Sequence, residues 1–233
     1  MKNKIIIFLT VLFVLYFAVS YKQAKYHKMG TDLITDAFYG RYLDVKNAIE
    51  EGAPSDYILL LEEEERQYSA IAFNLIQAAA SGGNIDIIHH ALKLGFDIDS
   101  PTAENWTPLF IATRDGRAEA AQFLIVKGAN VNATTNLGAT PLIMAITQKY
   151  PDEKDRENLL AYLLKKGADP NKKDSLGNPP LFYAVAVNRP DILQMLFDYG
   201  ANLSDKEKKE LISLAKKKND DSAKKIISIL KKH

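Results

Sequence analysis

Thr107-Pro108-Leu109 recurs as Thr140-Pro141-Leu142, 33 residues later (from 107 to 140), and again in altered form as Pro179-Pro180-Leu181. Each copy is followed by a second motif: Gly128-Ala129-Asn130, Gly167-Ala168-Asp169 and Gly200-Ala201-Asn202. A fixed period of this length marks an array of small units, each of which buries its apolar face against its neighbours. Within one unit the chemistry is helical. The Thr107 hydroxyl suits a helix N-cap, and Pro108 suits the first helical position, where no backbone N–H is needed. Leu109 and Ala112 fall on the face meeting a second helix, and Gly116 breaks the pair. Phe123, Leu124 and Ile125 pack that second helix. Gly128 ends it in the left-handed conformation that glycine adopts without penalty. Val131 then anchors an extended finger leading to the next unit.

Working outward adds units on both sides. Gly83 and Gly95 are spaced like Gly116 and Gly128, and Asn74-Leu75-Ile76 stands where Thr107-Pro108-Leu109 would stand. Residues of about 69–101 therefore read as a diverged repeat, followed by repeats at 102–134, 135–173 and 174–206. Gly40 and Gly52 repeat the spacing once more. With Leu33, Ile34, Val45, Ala48 and Ile49 they give an N-terminal cap over 31–53, joined to the first repeat by a long finger or extended helix over 54–73. Leu211, Ile212 and Leu214, then Ile226, Ile227, Ile229 and Leu230, predict two amphipathic helices that form a C-terminal cap over 207–233. The expected fold is an all-α solenoid.

These paired motifs resemble the ankyrin repeat over roughly residues 31–233. The resemblance implies a turn followed by two antiparallel helices, and a function in protein binding. In one respect the chain departs from the pattern. The histidine usual after Thr-Pro-Leu is replaced by Phe110, Ile143 and Phe182. That histidine bonds between repeats, so this stack is expected to lean more on apolar packing.

Composition narrows the function. A formal net charge of +1 gives no global field pointing to nucleic acid. The absence of cysteine excludes disulfides, thiolate metal sites, a cysteine nucleophile and a lipid-modified N-terminal cysteine. At the N-terminus, Lys2 and Lys4 precede Ile5 to Val19, apolar except for Thr10 and Tyr16, with Ala18-Val19-Ser20 at its end. Residues 1–22 thus read as a signal peptide or a membrane anchor through residues 5–21, and 23–30 as a linker. The repeats would then lie in the periplasm, free or held at the inner membrane. Met29 offers an internal start that would keep all the repeats.

The resemblance places binding on the finger tips and the exposed face of the first helices. Those positions are Ala103, Glu104, Trp106, Arg114 and Asp115; then Asn136, Leu137, Ala139, Thr147 and Gln148; then Ser175, Leu176, Asn178, Ala186 and Val187. Trp106 and Arg114 are residue types enriched in interface hot spots. The Gly128-to-Gly167 interval exceeds the Gly95-to-Gly128 interval by six (39 against 33), which places an insertion at Lys149–Lys154 and makes Tyr150 a candidate contact. Glu62–Glu65 form an acidic run that reads as a solvated edge or a steering patch. The C-terminal cap carries ten lysines between Lys206 and Lys232 against four acids, which suits a solvated face or contact with anionic lipid.

Nothing marks a reaction centre. His89 and His90 are adjacent and point in different directions on a helix, so they cannot chelate together. No phosphate loop, nucleophile elbow or cofactor motif is present. The chain is similar to the small exported ankyrin-repeat proteins of Gram-negative bacteria. That likeness implies a periplasmic immunity protein that occludes a secreted, phospholipase-type toxin. An envelope scaffold, a stress-protection protein or a host-directed effector are the alternatives. A protein partner, no nucleic acid and a monomeric free state are expected.

Overall fold

The structure is a computed structural model that describes residues 46–48, 50, 51, 59–61 and 71–233. The signal or anchor segment, the linker, the internal Met29, Glu62–Glu65 and most of the N-terminal cap lie outside the described residues.

Among the described residues ten helices come in pairs: α1 (Leu75–Gly82) with α2 (Ile85–Lys93), α3 (Pro108–Arg114) with α4 (Ala118–Val126), α5 (Pro141–Thr147) with α6 (Glu153–Lys165), α7 (Pro180–Ala186) with α8 (Pro190–Asp198), and α9 (Asp205–Lys216) with α10 (Asp221–Lys232). The odd-numbered helices pack in series as an inner row. Behind them α2 packs on α4, α4 on α6, and α8 on α10. The core between the rows is aliphatic and continuous, running from Leu75, Ile76, Ile87 and Ile88 through Leu109, Leu124, Leu142 and Leu160 to Leu193, Leu196, Ile226 and Leu230, all essentially buried. Ala48, from the short helical stretch at 46–50, packs against its first unit.

Local chemistry sets the inner helices. Thr107 accepts a hydrogen bond from the Phe110 N–H at 3.2 Å, and Thr140 accepts one from the Ile143 N–H at 3.2 Å. Each is followed by proline in the first turn. Pro179 has no side-chain oxygen, and α7 starts without a side-chain cap. Asn74 and Ser204 close capping boxes with Gln77 and Glu207, so the first and last of the described helix pairs have the better-capped inner helices.

One feature differs from the sequence reading. Leu59–Leu61 (β1) pairs antiparallel with Ile71–Phe73 (β2), Leu59 opposite Phe73. The stretch expected as a finger or helix therefore includes a small two-stranded sheet, and of its two strands only β2, with Ile71 and Phe73, carries strand-favouring residues. At the C-terminus the two expected helices are present, and the packing bears on the lipid-contact alternative. α9 and α10 stack on α7 and α8 as a full helix pair. Ala223, Ile226 and Leu230 of α10 are buried in that packing. The apolar face that a lipid-bound helix would insert is thus already covered, and the lysines form a solvated flank. Among the described residues no helix is long and apolar enough to cross a membrane.

Candidate partner-binding site

The fingers begin where the outer helices stop. Gly95, Gly128, Gly167 and Gly200 all have positive φ, between 89° and 99°, and turn the chain out of its helix. A polar brace then repeats from unit to unit. The side chains of Asp97, Asn130 and Asp169 accept hydrogen bonds from the N–H groups of Asp99, Asn132 and Asn171, at 3.0, 2.9 and 2.8 Å. The second residue of each pair reaches the next unit. Asp99 accepts from the Asn130 N–H at 3.0 Å, Asn132 from Asp169 at 2.8 Å, and Asn171 from Asn202 at 2.9 Å. Asn132 and Asn171 also donate to the Gly167 and Gly200 carbonyls. The stack therefore does not rely on apolar packing alone where the usual histidine is missing. An aspartate–asparagine ladder at the finger roots supplies the polar bonds between repeats. Its sequence signal is Gly-x-Asp/Asn-x-Asp/Asn, repeated at Gly95, Gly128 and Gly167. Sequence reasoning uses the Gly-x-Asn/Asp half of that pattern as a repeat marker and misses the ladder.

Each finger is a tight hairpin braced from its base. The Thr102, Thr135 and Asp174 N–H groups donate to the carbonyls of Trp106, Ala139 and Asn178. Their side chains accept from the N–H groups opposite. Partial burial pushes the Asp174 carboxyl up, but hydrogen bonds from Tyr183, Asn178 and Leu176 outweigh it and leave the pKa below its ordinary value. The fingers are also joined side by side. The Asn136 N–H donates to the Glu104 carbonyl and the Ser175 N–H to the Leu137 carbonyl, both at 3.0 Å. Asn136 additionally donates its side-chain amide to the Ala103 carbonyl at 3.0 Å. At the tips, Leu137 is 73% exposed and Leu176 is 82% exposed.

Behind the first of these fingers, the sequence-selected residues Trp106, Arg114 and Asp115 form one cluster. The Arg114 guanidinium lies 4.7 Å from the centre of the Trp106 ring. It also forks onto Asp115 at 2.6 and 2.8 Å. Asp115 accepts the Ser81 hydroxyl of the preceding unit. Trp106 also packs against Phe110, at 5.7 Å between ring centres. It is half-buried, so it is both a packing residue and a partly open surface. Glu104 accepts from the Thr102 hydroxyl at 3.0 Å. Thr147 bonds back to the Ile143 carbonyl at 3.1 Å, and Gln148 lies against the Met144 sulfur. Ser175 is exposed and Asn178 half-buried on the third finger.

Tyr150 is corrected by the structure. It is 7% exposed and donates its hydroxyl to the Thr113 carbonyl at 2.8 Å. Burial, with a smaller contribution from Asp115, pushes the phenol pKa up. Tyr150 is a strut that pins the insertion to the preceding unit, because that loop folds inward over the Gly116 turn. The insertion is secured from its other end by Arg156. This buried side chain donates to the Gln148 carbonyl at 3.1 Å and pairs with Glu153. Arg189 then links Glu153, Glu157 and Asp191. Elsewhere, His89 packs edge-on against Phe123 at 6.2 Å between ring centres. Among the described residues no group of three or more His, Asp or Glu is placed to hold a metal.

A two-row stack of short helix pairs with braced, laterally bonded fingers defines a repeat scaffold built to hold another macromolecule. Residues 75–174 match ankyrin repeats in a three-copy form and residues 153–197 match ankyrin repeats in a many-copy form, together just over half of the chain. The chain belongs to the ankyrin-repeat family. It is similar to the Protein phosphatase 1 regulatory subunit 27 of Homo sapiens, 36% identical over 66 residues, 28% of this chain and 43% of that protein. It is also similar to the ankyrin repeat domain-containing protein oryK of Aspergillus oryzae, 44% identical over 54 residues, 23% of this chain and 9% of that protein. A third similarity is to the human Ankyrin repeat and KH domain-containing protein 1, 35% identical over 81 residues, 35% of this chain and 3% of that protein. The matched stretches span less than half the length of each relative. The family and the regulatory-subunit likeness point to a protein-binding, non-catalytic role.

Proposed function

We propose that the chain holds a single protein partner on the face made by its finger tips and inner helices, and acts by covering that partner. The observation that carries this reading is the finger stack. Leu137 and Leu176, the two most exposed large apolar side chains among the described residues, stand on neighbouring fingers joined by a backbone hydrogen bond, with the Trp106–Arg114 pair beside them. Apolar tips on a rigid frame lose little conformational freedom on binding. In the finer form of the proposal the partner is a secreted, phospholipase-type toxin and the chain is a periplasmic immunity protein. Support for export comes from Lys2 and Lys4 before the apolar run Ile5–Val19. Support for toxin neutralisation comes from the likeness to small exported bacterial ankyrin proteins. A scaffold or stress-protection role in the envelope is the alternative.

Two experiments test the two levels. Tagged full chain is cross-linked in its host, and the captured protein is identified and then titrated against wild type and a Trp106→Ala/Arg114→Ala variant. Undiminished binding by the folded variant removes this face from the proposal. A reporter fused after Lys28 that is active only outside the cytoplasm should score positive. A cytoplasmic reporter ends the periplasmic reading.

A further inference from the structure

The finger ladder stops one step early. Before α3, α5 and α7 the interval from the turning glycine to the helix cap is constant, Gly95 to Thr107, Gly128 to Thr140 and Gly167 to Pro179. Before α9 it is Gly200 to Ser204, eight residues shorter (12 against 4). The fifth helix pair therefore has no finger. The Glu104 and Leu137 carbonyls each accept the N–H of the next finger. The carbonyl in the equivalent place on the third finger, that of Leu176, has no such neighbour among the described residues. Where the missing finger would lie there is a groove of about 180 Å³. This is below the roughly 300–1,000 Å³ of sites that engulf a small-molecule ligand, and close to the bulk of one long side chain.

The lining of the groove states what would enter it. Its floor is Pro179, Phe182, Leu211 and Leu214, and its charged lining residues are Glu207 and Glu210, both carboxylates. Glu207 is held ionised, its pKa pulled down to about 2 by the Lys173 ammonium and then by Ser204. Glu210 is exposed and makes no ion pair or hydrogen bond among the described residues. An aromatic ring next to an unpaired carboxylate over an aliphatic floor favours a guanidinium. That group is planar, stacks on rings and forks onto carboxylates, and its stem is apolar.

We propose that the protein partner supplies the missing finger. An extended partner segment donates a backbone N–H to the Leu176 carbonyl, lays an apolar residue against Leu176, and inserts an arginine between Phe182 and Glu210. The proposal rests on the protein-binding reading above and names the partner chemistry for its C-terminal half.

The test uses the full chain with labelled leucine methyls and amide nitrogens, and the probe acetyl-Ala-Leu-Arg-Leu-Ala-amide. The peptide is expected to shift Leu211, Leu214 and Leu176 methyls and the Gly177 amide nitrogen saturably. Citrulline in place of arginine, or Glu210→Gln in the protein, should weaken binding at least tenfold, and lysine at least threefold. Equal binding of the arginine and citrulline peptides, or no saturable shift in the groove, overturns the proposal. A change in the chain's own sedimentation on Glu210→Lys assigns the groove to a second copy and also overturns it. Trp106→Ala/Arg114→Ala should leave the peptide shifts intact while weakening the captured partner. Failure of the peptide alone thus refutes the arginine groove, and failure of the double variant alone refutes the wider face.

Discussion

Gly138 and Gly177 occupy the same position in successive fingers, with φ of +72° and +82°. A side chain at either must adopt the left-handed region, at about 1–2 kcal/mol. Their surroundings differ. A Cβ on Gly138 would lie 2.7 Å from the Ser175 nitrogen and 3.0 Å from the Asp174 carbonyl carbon, both backbone atoms of the next finger. A Cβ on Gly177 would meet nothing within 4 Å, because no finger follows. Gly177→Ala should therefore cost only the backbone term, about 1 kcal/mol. Gly138→Ala should add displacement of the third finger and weakening of the Ser175–Leu137 hydrogen bond, itself about 1 kcal/mol, for a total of about 3 kcal/mol. At about 2–4 °C per kcal/mol for a chain of this size, the midpoints should fall by about 3 °C and about 9 °C. Thermal unfolding followed by circular dichroism measures both. Equal losses for the two substitutions would refute the reasoning, since only the lateral contact distinguishes the sites.

Tyr150→Phe should lower stability by about 1 kcal/mol by removing the hydroxyl's hydrogen bond to the Thr113 carbonyl, which then keeps only the Gly116 N–H at 3.3 Å, and should leave partner affinity unchanged in a binding titration. The raised pKa of Tyr150, and that of Tyr183, pushed up to about 12 by burial and then by Asp174, give a sign for pH. The folded state keeps its protons longer than the unfolded chain, so this contribution is complete below about pH 10 and is lost as pH rises beyond it. Melting temperatures measured across that range should fall, and by less in Tyr150→Phe. Arg156→Ala should cost about 1–2 kcal/mol in urea unfolding, through the Gln148 carbonyl and lost stem packing. Trp106→Ala with Arg114→Ala should keep the helical spectrum and weaken the captured partner at least tenfold, about 1.4 kcal/mol.

The helical frame is legible in the sequence because its signals are local. A capping hydroxyl, a proline in the first turn and a glycine at the exit act within a few residues, and Thr107, Pro108 and Gly128 show all three. Side-chain direction in a loop is not local. The length of the Lys149–Lys154 insertion is visible, but whether Tyr150 points to solvent depends on the Thr113 carbonyl 37 positions earlier. The pairing of β1 with β2 is hidden for the same reason, since the two strands are joined across an acidic run that carries no turn signal. The ladder of Asp99, Asn132 and Asn171 stands in plain view as a repeated pattern. Its meaning emerges only when the next unit is in place to receive the bonds.

The bonds between fingers have one direction. The second and third fingers each donate an N–H backward to the preceding one, from Asn136 to Glu104 and from Ser175 to Leu137. A growing stack of this kind ends on an acceptor. The last helix pair dispenses with a finger and begins at once with the Ser204–Glu207 capping box, so its own helix is complete while the finger edge beside it is left open. An open carbonyl in water costs nothing, because solvent satisfies it. The same carbonyl covered by a partner must find a donor or lose about 1–3 kcal/mol. Any protein that covers this end is thus selected for a backbone N–H at that point, and the carboxylates beside it select against a partner that is acidic there. On the proposed reading, specificity at the C-terminal half follows from the finger that the α9–α10 pair omits as much as from the side chains it presents.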